Sequence, residues 1–194
     1  MEQVVVITGA GGGLGSVFAR ELAGDGKSIA VLDYDIHAAG QVAAQIRENG
    51  GRAAAIRCNV VDKASMEQAR QEVREKLGKC NVLINCAGIQ DPLAKTTSGS
   101  YQPGDEMDTE VAKADPDRKE TVRELLGKSR TLFNIDAEKM MRVMNVNWLG
   151  TVIASQVFAA DLVGGEGNSI INITSMAAYD ALSMVPAYAS SKAA

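Results

Sequence analysis

The chain has 194 residues, 46% of them hydrophobic and 23% charged, with 20 Lys+Arg against 24 Asp+Glu for a formal net charge of −4. This balance argues against a wholly disordered chain, and it gives no global basic surface for nucleic acid or anionic lipid. No run approaches the roughly 18 apolar residues of a membrane span, and the length suggests one domain, or one domain with a large insert. Nineteen glycines stand out.

The chain opens Met1-Glu2-Gln3-Val4-Val5-Val6-Ile7-Thr8-Gly9 and runs straight into an apolar segment. It has no basic leader, long apolar stretch or small-residue cleavage site, so no secretory signal is expected. Cys58, Cys80 and Cys86 are odd in number and lack metal-ligand spacing, which fits free thiols in the cytoplasm and no metal site.

In chain order, Gln3–Thr8 reads as a strand, followed by a glycine-opened helix over Gly13–Ala23. Ser28–Leu32 is a second strand ending on Asp33, and Asp35–Glu48 a helix with a Gly50-Gly51 stop. Arg52–Cys58 is a third strand. Ser65-Met66-Glu67-Gln68 fits a capping box for a helix running to Leu77 and stopping at Gly78. Asn81–Cys86 is a fourth strand. From Gln90 to Leu132 the pattern breaks into a polar, charge-dense insert, where Asp115 or Asp117 beside Pro116 could start a short helix over Lys119–Leu126. Regularity returns at Asp136, a plausible N-cap. A long helix then runs through Met140, Val143, Met144, Val152 and Phe158 to about Leu162, with Met140, Met141 and Met144 expected in the core. Ser169–Thr174 is a fifth strand, expected to be buried, so the sequon Asn172-Ile173-Thr174 is not expected to be glycosylated. Ala187–Ala194 begins another helix.

Alternating strands and helices, with strands apolar enough to be covered on both faces, imply an α/β fold. The expected architecture is a three-layer, doubly wound Rossmann-type parallel sheet. The loop Thr8-Gly9-Ala10-Gly11-Gly12-Gly13-Leu14-Gly15 joins the first strand to the first helix. The G-x-G-x-x-G spacing fails there, because its third position falls on Leu14 or Ser16, while T-G-x-x-x-G-x-G fits. Glycines in this place permit positive φ and let backbone approach a pyrophosphate at the helix N-terminus; the bland alternative is a tight turn without a ligand. Asp33 ends the second strand where a carboxylate can accept both ribose hydroxyls and repel a 2′-phosphate. The next residues are Tyr34 and Asp35, with no Arg or Lys following, so NAD is favoured over NADP.

Beyond the glycine loop the chain carries Asn85-Cys86-Ala87-Gly88 (N-x-A-G) and Asn145-Val146-Asn147-Trp148-Leu149-Gly150 (V-N-x-x-G). It also carries Asn172-Ile173-Thr174-Ser175 and Tyr188-Ala189-Ser190-Ser191-Lys192 (Y-x-x-x-K), with Ser175 thirteen residues before Tyr188. Five such motifs in this order resemble the short-chain dehydrogenase/reductase family. The resemblance implies hydride transfer between nicotinamide and an alcohol or ketone, with Tyr188 as acid/base. Lys192 would favour the phenolate and hold the nicotinamide ribose, Ser175 would orient the substrate oxygen, and Asn147 would complete a proton relay at a helix irregularity. It implies cofactor contacts from Gly9, Gly11, Gly12, Gly13, Leu14, Gly15, Asp33, Asn59, Val60, Asn85, Ala87, Gly88, Tyr188 and Lys192. A tyrosine needs this help, because with a pKa near 10 it is a poor base at neutral pH without a nearby cation, and a lysine four residues on shares its helix face.

Two departures qualify the match. Asn59 stands where the family commonly carries an aspartate beside the adenine, though an amide can still exchange hydrogen bonds with that base. The insert of about residues 90–132 is longer than the family's usual passage between these motifs. Its layout resembles the subgroup assigned to D-mannonate/D-fructuronate interconversion, with Lys95, Thr96, Thr97 and Arg130 as candidates for a sugar-acid carboxylate. A solvated flap with no substrate role is the alternative for the insert. Another polyol or hydroxy substrate, or a dinucleotide-sensing protein without chemistry, is the alternative for the chain. His37, the only histidine, is expected to be exposed and not catalytic. The chain stops two residues after Lys192, so the expected domain, residues 1–194, is one cut short after the start of the catalytic helix. A homodimer or homotetramer is expected of the full-length family member.

Overall fold

A computed structural model describes residues 3–96, 135–180, 182 and 184–194, at Leu93 without its side chain. The chain divides into two compact units, Met1–Gly88 with Asn145–Ile173 and Ile89–Met144 with Thr174–Ala194.

The first unit alternates β1 (Val4–Thr8), α1 (Gly13–Gly24), β2 (Ser28–Asp33), α2 (Ile36–Glu48), β3 (Arg52–Arg57), α3 (Lys63–Lys76) and β4 (Val82–Asn85). The five-residue π-helical segment Asn145–Leu149 then leads into α5 (Gly150–Leu162), and β5 (Ser169–Asn172) follows. All strand pairs are parallel, in the order β3-β2-β1-β4-β5. The doubly wound sheet expected from the alternation is therefore present, with its switch point between β1 and β4. Period-two alternation in β1 builds both faces. Val4 and Val6 join Met66, Val73, Val157 and Phe158 under α3 and α5, while Val5 and Ile7 join Ala19, Val42 and Ile46 under α1 and α2. Each fully buried Val, Leu or Ile contributes about 1.5–3 kcal/mol.

Local chemistry sets the element ends. The Asp35 carboxylate accepts from the His37 and Ala38 amides and opens α2, and Gly78, at φ +115, ends the turn after α3. The capping-box expectation at Ser65 is corrected. Helix α3 starts three residues earlier, with Asp62 as N-cap accepting from the Ala64 and Ser65 amides, and the Ser65 hydroxyl accepts instead from the Asn59 amide. The carboxylate at 62 reaches two free first-turn amides, so it wins the cap. Strand β5 corrects the burial expectation: all four residues are exposed, Ile170 at 41% and Ile171 at 44%. Among the described residues it is an edge strand, paired with β4 alone.

The second unit holds a 3-10 turn (Pro92–Ala94), α4 (Ala137–Met144), a second 3-10 turn (Met176–Ala178) and α6 (Pro186–Ala193). Among its described residues the core cluster is Ala94, Val143 and Ala187, with Ile89, Met140 and Tyr188 packed against them. Asp136 accepts from the Glu138 and Lys139 amides, as expected of an N-cap. Met141 is 56% exposed and so is not a core residue; two positions from buried Val143, it is turned about 200° around the helix axis from it. The expected helix over Lys119–Leu126, and the candidates Thr97 and Arg130, lie outside the described residues. By length and mean hydropathy alone, the helical run Ala137–Leu162 could cross a membrane, contrary to the reading of no such stretch. However, 39% of its most apolar window is buried inside the protein, including Phe158 and Val157 on the sheet.

Candidate active site

Steric crowding and one hydroxyl bind the tips of β1 and β4 together. Thr8 Oγ1 accepts from the Cys86 and Ala87 amides, both at 3.2 Å. Gly9 has φ +67, and a Cβ there would stand 2.7 Å from the Ala87 Cα, so neither a side chain at 9 nor a larger one at 87 fits easily. A Cβ on Gly15 would collide with the Gly9 carbonyl oxygen. Gly12 and Gly13 differ: a Cβ on either meets nothing within 4 Å. Gly12 caps α1 with no side-chain hydrogen bond, which leaves the first amides of the helix to a ligand such as phosphate. Leu14 flanks it, 60% exposed.

Asp33 is tied to this loop. Its Oδ2 accepts from the Gly11 amide at 2.8 Å and its Oδ1 from the Asp35 amide at 3.0 Å. A Cβ on Gly11 would come within 2.9 Å of that carboxylate, which accounts for the glycine. Beside Asp33, Tyr34 is 66% exposed, and the Arg57 guanidinium carbon lies 5.5 Å from the centre of its ring. After β3, Asn59 Oδ1 accepts weakly, at 3.4 Å, from the Val61 amide. Val60 packs where a Cβ on Gly150 would be 2.7 Å from it, so that glycine lets α5 sit on the β3 loop.

Asn85 is buried. Its amide nitrogen donates to Asn172 Oδ1 at 2.9 Å and Ser155 Oγ at 3.0 Å, while its own Oδ1 is buried with no hydrogen-bond partner. Ala87 is half-buried and Gly88 exposed. Asn147 is buried within the π segment, and its carbonyl accepts from Thr151 Oγ1 at 2.9 Å. The irregularity expected there is present; such single π turns often mark functional positions.

In the second unit, Ser175 heads the Met176–Ala178 turn, its Oγ accepting from the Ala177 amide at 3.2 Å, and that turn packs against α6. Pro186 starts α6, where its missing N–H costs nothing. Tyr188 and Lys192 lie one turn apart, with Lys192 Nζ 5.9 Å from the centre of the Tyr188 ring. Both are half-buried. Thr174 Oγ1 donates to the Lys192 carbonyl at 3.2 Å, and Ser191 Oγ to the Tyr188 carbonyl at 2.7 Å. Tyr188 lines a shallow surface depression with Gln90, Asp91, Lys95 and Val185. Sequence reading missed Asp91, buried and paired with Arg142 at 3.3 Å; the acid is surrounded by loop residues and carries no motif. The Thr96 amide donates to the Met184 carbonyl at 3.0 Å, linking the two chain segments of this wall. His37 is exposed.

A nicotinamide dinucleotide fits the first unit on its own geometry. The helix N-terminus is open at Gly12 and Gly13, a carboxylate stands at the tip of the neighbouring strand β2, and the loop leaves β1, which borders the switch point. A family model described as short chain dehydrogenase matches residues 3–111 and 126–194. The chain belongs to the short-chain dehydrogenase family.

A protein from Haemophilus influenzae named an uncharacterized oxidoreductase is 37% identical over 192 residues, covering 99% of this chain and 60% of its own length. The 7α-hydroxysteroid dehydrogenase of Escherichia coli K12 is 29% identical over 189 residues, 97% of this chain and 59% of that protein. The crystal structure of a candidate D-mannonate oxidoreductase from Haemophilus influenza, with bound NAD, superposes at a TM-score of 0.82 and 35% identity. It covers all of this chain and 62% of its own. The chain thus spans about 60% of the length of these relatives.

Proposed function

We propose that this chain is the dinucleotide-binding and catalytic portion of an NAD(P)-dependent oxidoreductase that moves a hydride between nicotinamide and an alcohol or ketone. NAD is the preferred cofactor, and a sugar acid such as D-mannonate/D-fructuronate is the substrate class. The observation that carries this is the pairing on α6 of Tyr188 with Lys192, 5.9 Å from ring centre to Nζ, beside the turn that Ser175 caps. The likeness to the NAD-bound candidate D-mannonate oxidoreductase supports the substrate class. So does the wall of that depression, which carries Lys95, Gln90 and Asp91, groups able to meet a carboxylate and hydroxyls.

Nicotinamide supplies the hydride acceptor or donor. The chain supplies the proton chemistry and the grip. Open amides at the start of α1 hold pyrophosphate, Asp33 accepts from ribose hydroxyls, and Asn59 and Val60 border the base. Ser175 donates to the substrate oxygen while Tyr188 takes the hydroxyl proton, its phenolate favoured by the Lys192 cation. Asn147, held in the π segment, passes the proton on. We further read the chain as part of one domain with an insert at about 90–132, in an enzyme that is a homodimer or homotetramer.

The test is turnover of the purified protein on a panel of aldonates, polyols and hydroxy compounds with NAD⁺. Tyr188→Phe is expected to lower kcat by about 10²–10⁴-fold and to leave the NADH dissociation constant within about twofold. Near-normal kcat in that variant refutes the acid/base role. Polyol turnover without aldonate turnover refutes the sugar-acid class.

A further inference from the structure

The dinucleotide reading takes its preference for NAD from Asp33 and from the residues after it, where no cation follows. The sheet supplies one from elsewhere. Asp33 and Arg57 are register partners on β2 and β3, and the Cys58 amide donates to the Asp33 carbonyl at 2.9 Å. The two strand tips therefore end side by side at the edge of the sheet that the adenosine half of a dinucleotide would cover.

Arg57 is exposed, and its guanidinium carbon stands 5.5 Å from the centre of the Tyr34 ring. Stacking on an aromatic face restrains an arginine without using its five N–H donors, so the planar fork stays available for an oxyanion. The local charges oppose one another. The Asp33 carboxylate repels a phosphate on the ribose 2′ oxygen, and Arg57 attracts it. Asp33 spends hydrogen-bonding capacity on the Gly11 and Asp35 amides, which holds it in place on the loop side.

We propose that Arg57, carried on Tyr34, is a second determinant of cofactor choice, giving this site an affinity for the 2′-phosphorylated dinucleotide that Asp33 alone would deny it. This rests on the dinucleotide reading above. It makes the site one that prefers NAD and still admits NADP. The ligand contact is an arginine fork on a phosphate, the strongest pairing a surface arginine makes.

Fluorescence titration of the purified protein with NADH and NADPH tests it without requiring turnover. Wild type is expected to bind both, NADH more tightly. Arg57→Ala is expected to weaken NADPH about tenfold and NADH less than twofold. Arg57→Lys, which keeps the charge but loses the planar fork and the stacking, is expected to give an NADPH-to-NADH affinity ratio between those of Arg57→Ala and wild type. Added salt is expected to weaken NADPH more steeply in wild type than in Arg57→Ala. Far-UV circular dichroism and a melting curve check that the exposed substitution leaves the fold intact. A ratio that moves less than threefold in Arg57→Ala overturns the proposal, as does equal weakening of both ligands, which would make Arg57 a stacking surface for the base. Binding of NADH with none of NADPH in wild type overturns it while leaving the dinucleotide reading standing. Binding of neither overturns both.

Discussion

In the sheet unit, backbone crowding decides residue identity. Gly9 is pressed against Ala87, Gly11 against the Asp33 carboxylate, Gly15 against the Gly9 carbonyl and Gly150 against Val60. Among the described residues of the unit that carries Tyr188, the buried core cluster comprises Ala94, Val143 and Ala187, and Met176, Tyr179, Leu182 and Met184 are 47–89% exposed. The glycine loop is shaped by the absence of side chains. The described part of the Tyr188 unit is shaped by which side chains are present. Substitution should therefore act on stability first in one unit and on chemistry first in the other.

The largest expected break of that contrast is Gly9→Ala. It puts a Cβ at a left-handed backbone position and 2.7 Å from the Ala87 Cα, costs of about 1–2 kcal/mol for the conformation and about 1–3 for the overlap. A loss of about 3 kcal/mol in urea unfolding is expected. Gly12→Ala is the matched control within the same loop. Its backbone is extended and its Cβ meets nothing, so stability should move by no more than about 0.5 kcal/mol. NADH affinity should nonetheless fall about tenfold, because the methyl enters the space kept for phosphate. Unfolding curves that shift equally for both variants would erase the distinction between a glycine needed by the fold and one needed by the ligand.

Next in size is Asp161, on α5. Its side chain is fully buried and meets the Arg70 guanidinium at 2.5 and 2.9 Å and the Cys80 amide at 3.3 Å. Asp161→Ala should cost about 2–3 kcal/mol, at the lower end for a broken buried pair because Arg70 keeps 24% exposure and rehydrates. Asp91, in the other unit, is also buried, but its partner Arg142 is 63% exposed, and Asp91→Asn should cost less than about 1 kcal/mol. Its effect should fall on KM for the substrate, through the wall beside Tyr188. If the two acids prove equally costly to stability, the exposure of Arg142 does not weaken its pair with Asp91 as argued.

These cases also mark what the sequence made legible. The parallel sheet, its crossovers, the Asp35 and Asp136 caps and the glycine loop follow from local periodicity and from residues whose partners are two or three positions away. Arg57 escaped because it reaches the ribose edge through strand register, 24 residues after Asp33. Asp161 and Asp91 escaped because a buried acid looks like any other acid until its arginine is placed. Ser65 and Gln68 satisfy the capping-box spacing, but the Asp62 carboxylate, which has no Glu or Gln three positions on, takes the Ala64 and Ser65 amides. The exposed β5 escaped because an apolar run does not say whether its strand lies inside a sheet or at an edge. Long-range pairing, not local propensity, is the missing information in each case.

The smallest effect concerns the thiols. Burial pushes Cys58 and Cys80 up from 9.0 to about 12, with the nearby Asp33 and Asp161 carboxylates adding to it respectively. In the unfolded chain they ionise near 9.0. Above that pH the unfolded state has lost protons that the folded state keeps, so folding stability falls as pH rises from about 9 towards 12, and it is fully present below 9. At pH 9.5 each thiol should cost about 0.8 kcal/mol relative to pH 8. Cys80→Ala should flatten the alkaline slope by one thiol's share, whatever it does to stability at pH 8. Half-exposed Cys86 should be alkylated first by iodoacetamide in the native protein. Equal labelling of all three cysteines under native conditions would mean that the sheet unit opens readily, and that its crowded glycines do not confer the rigidity argued for them.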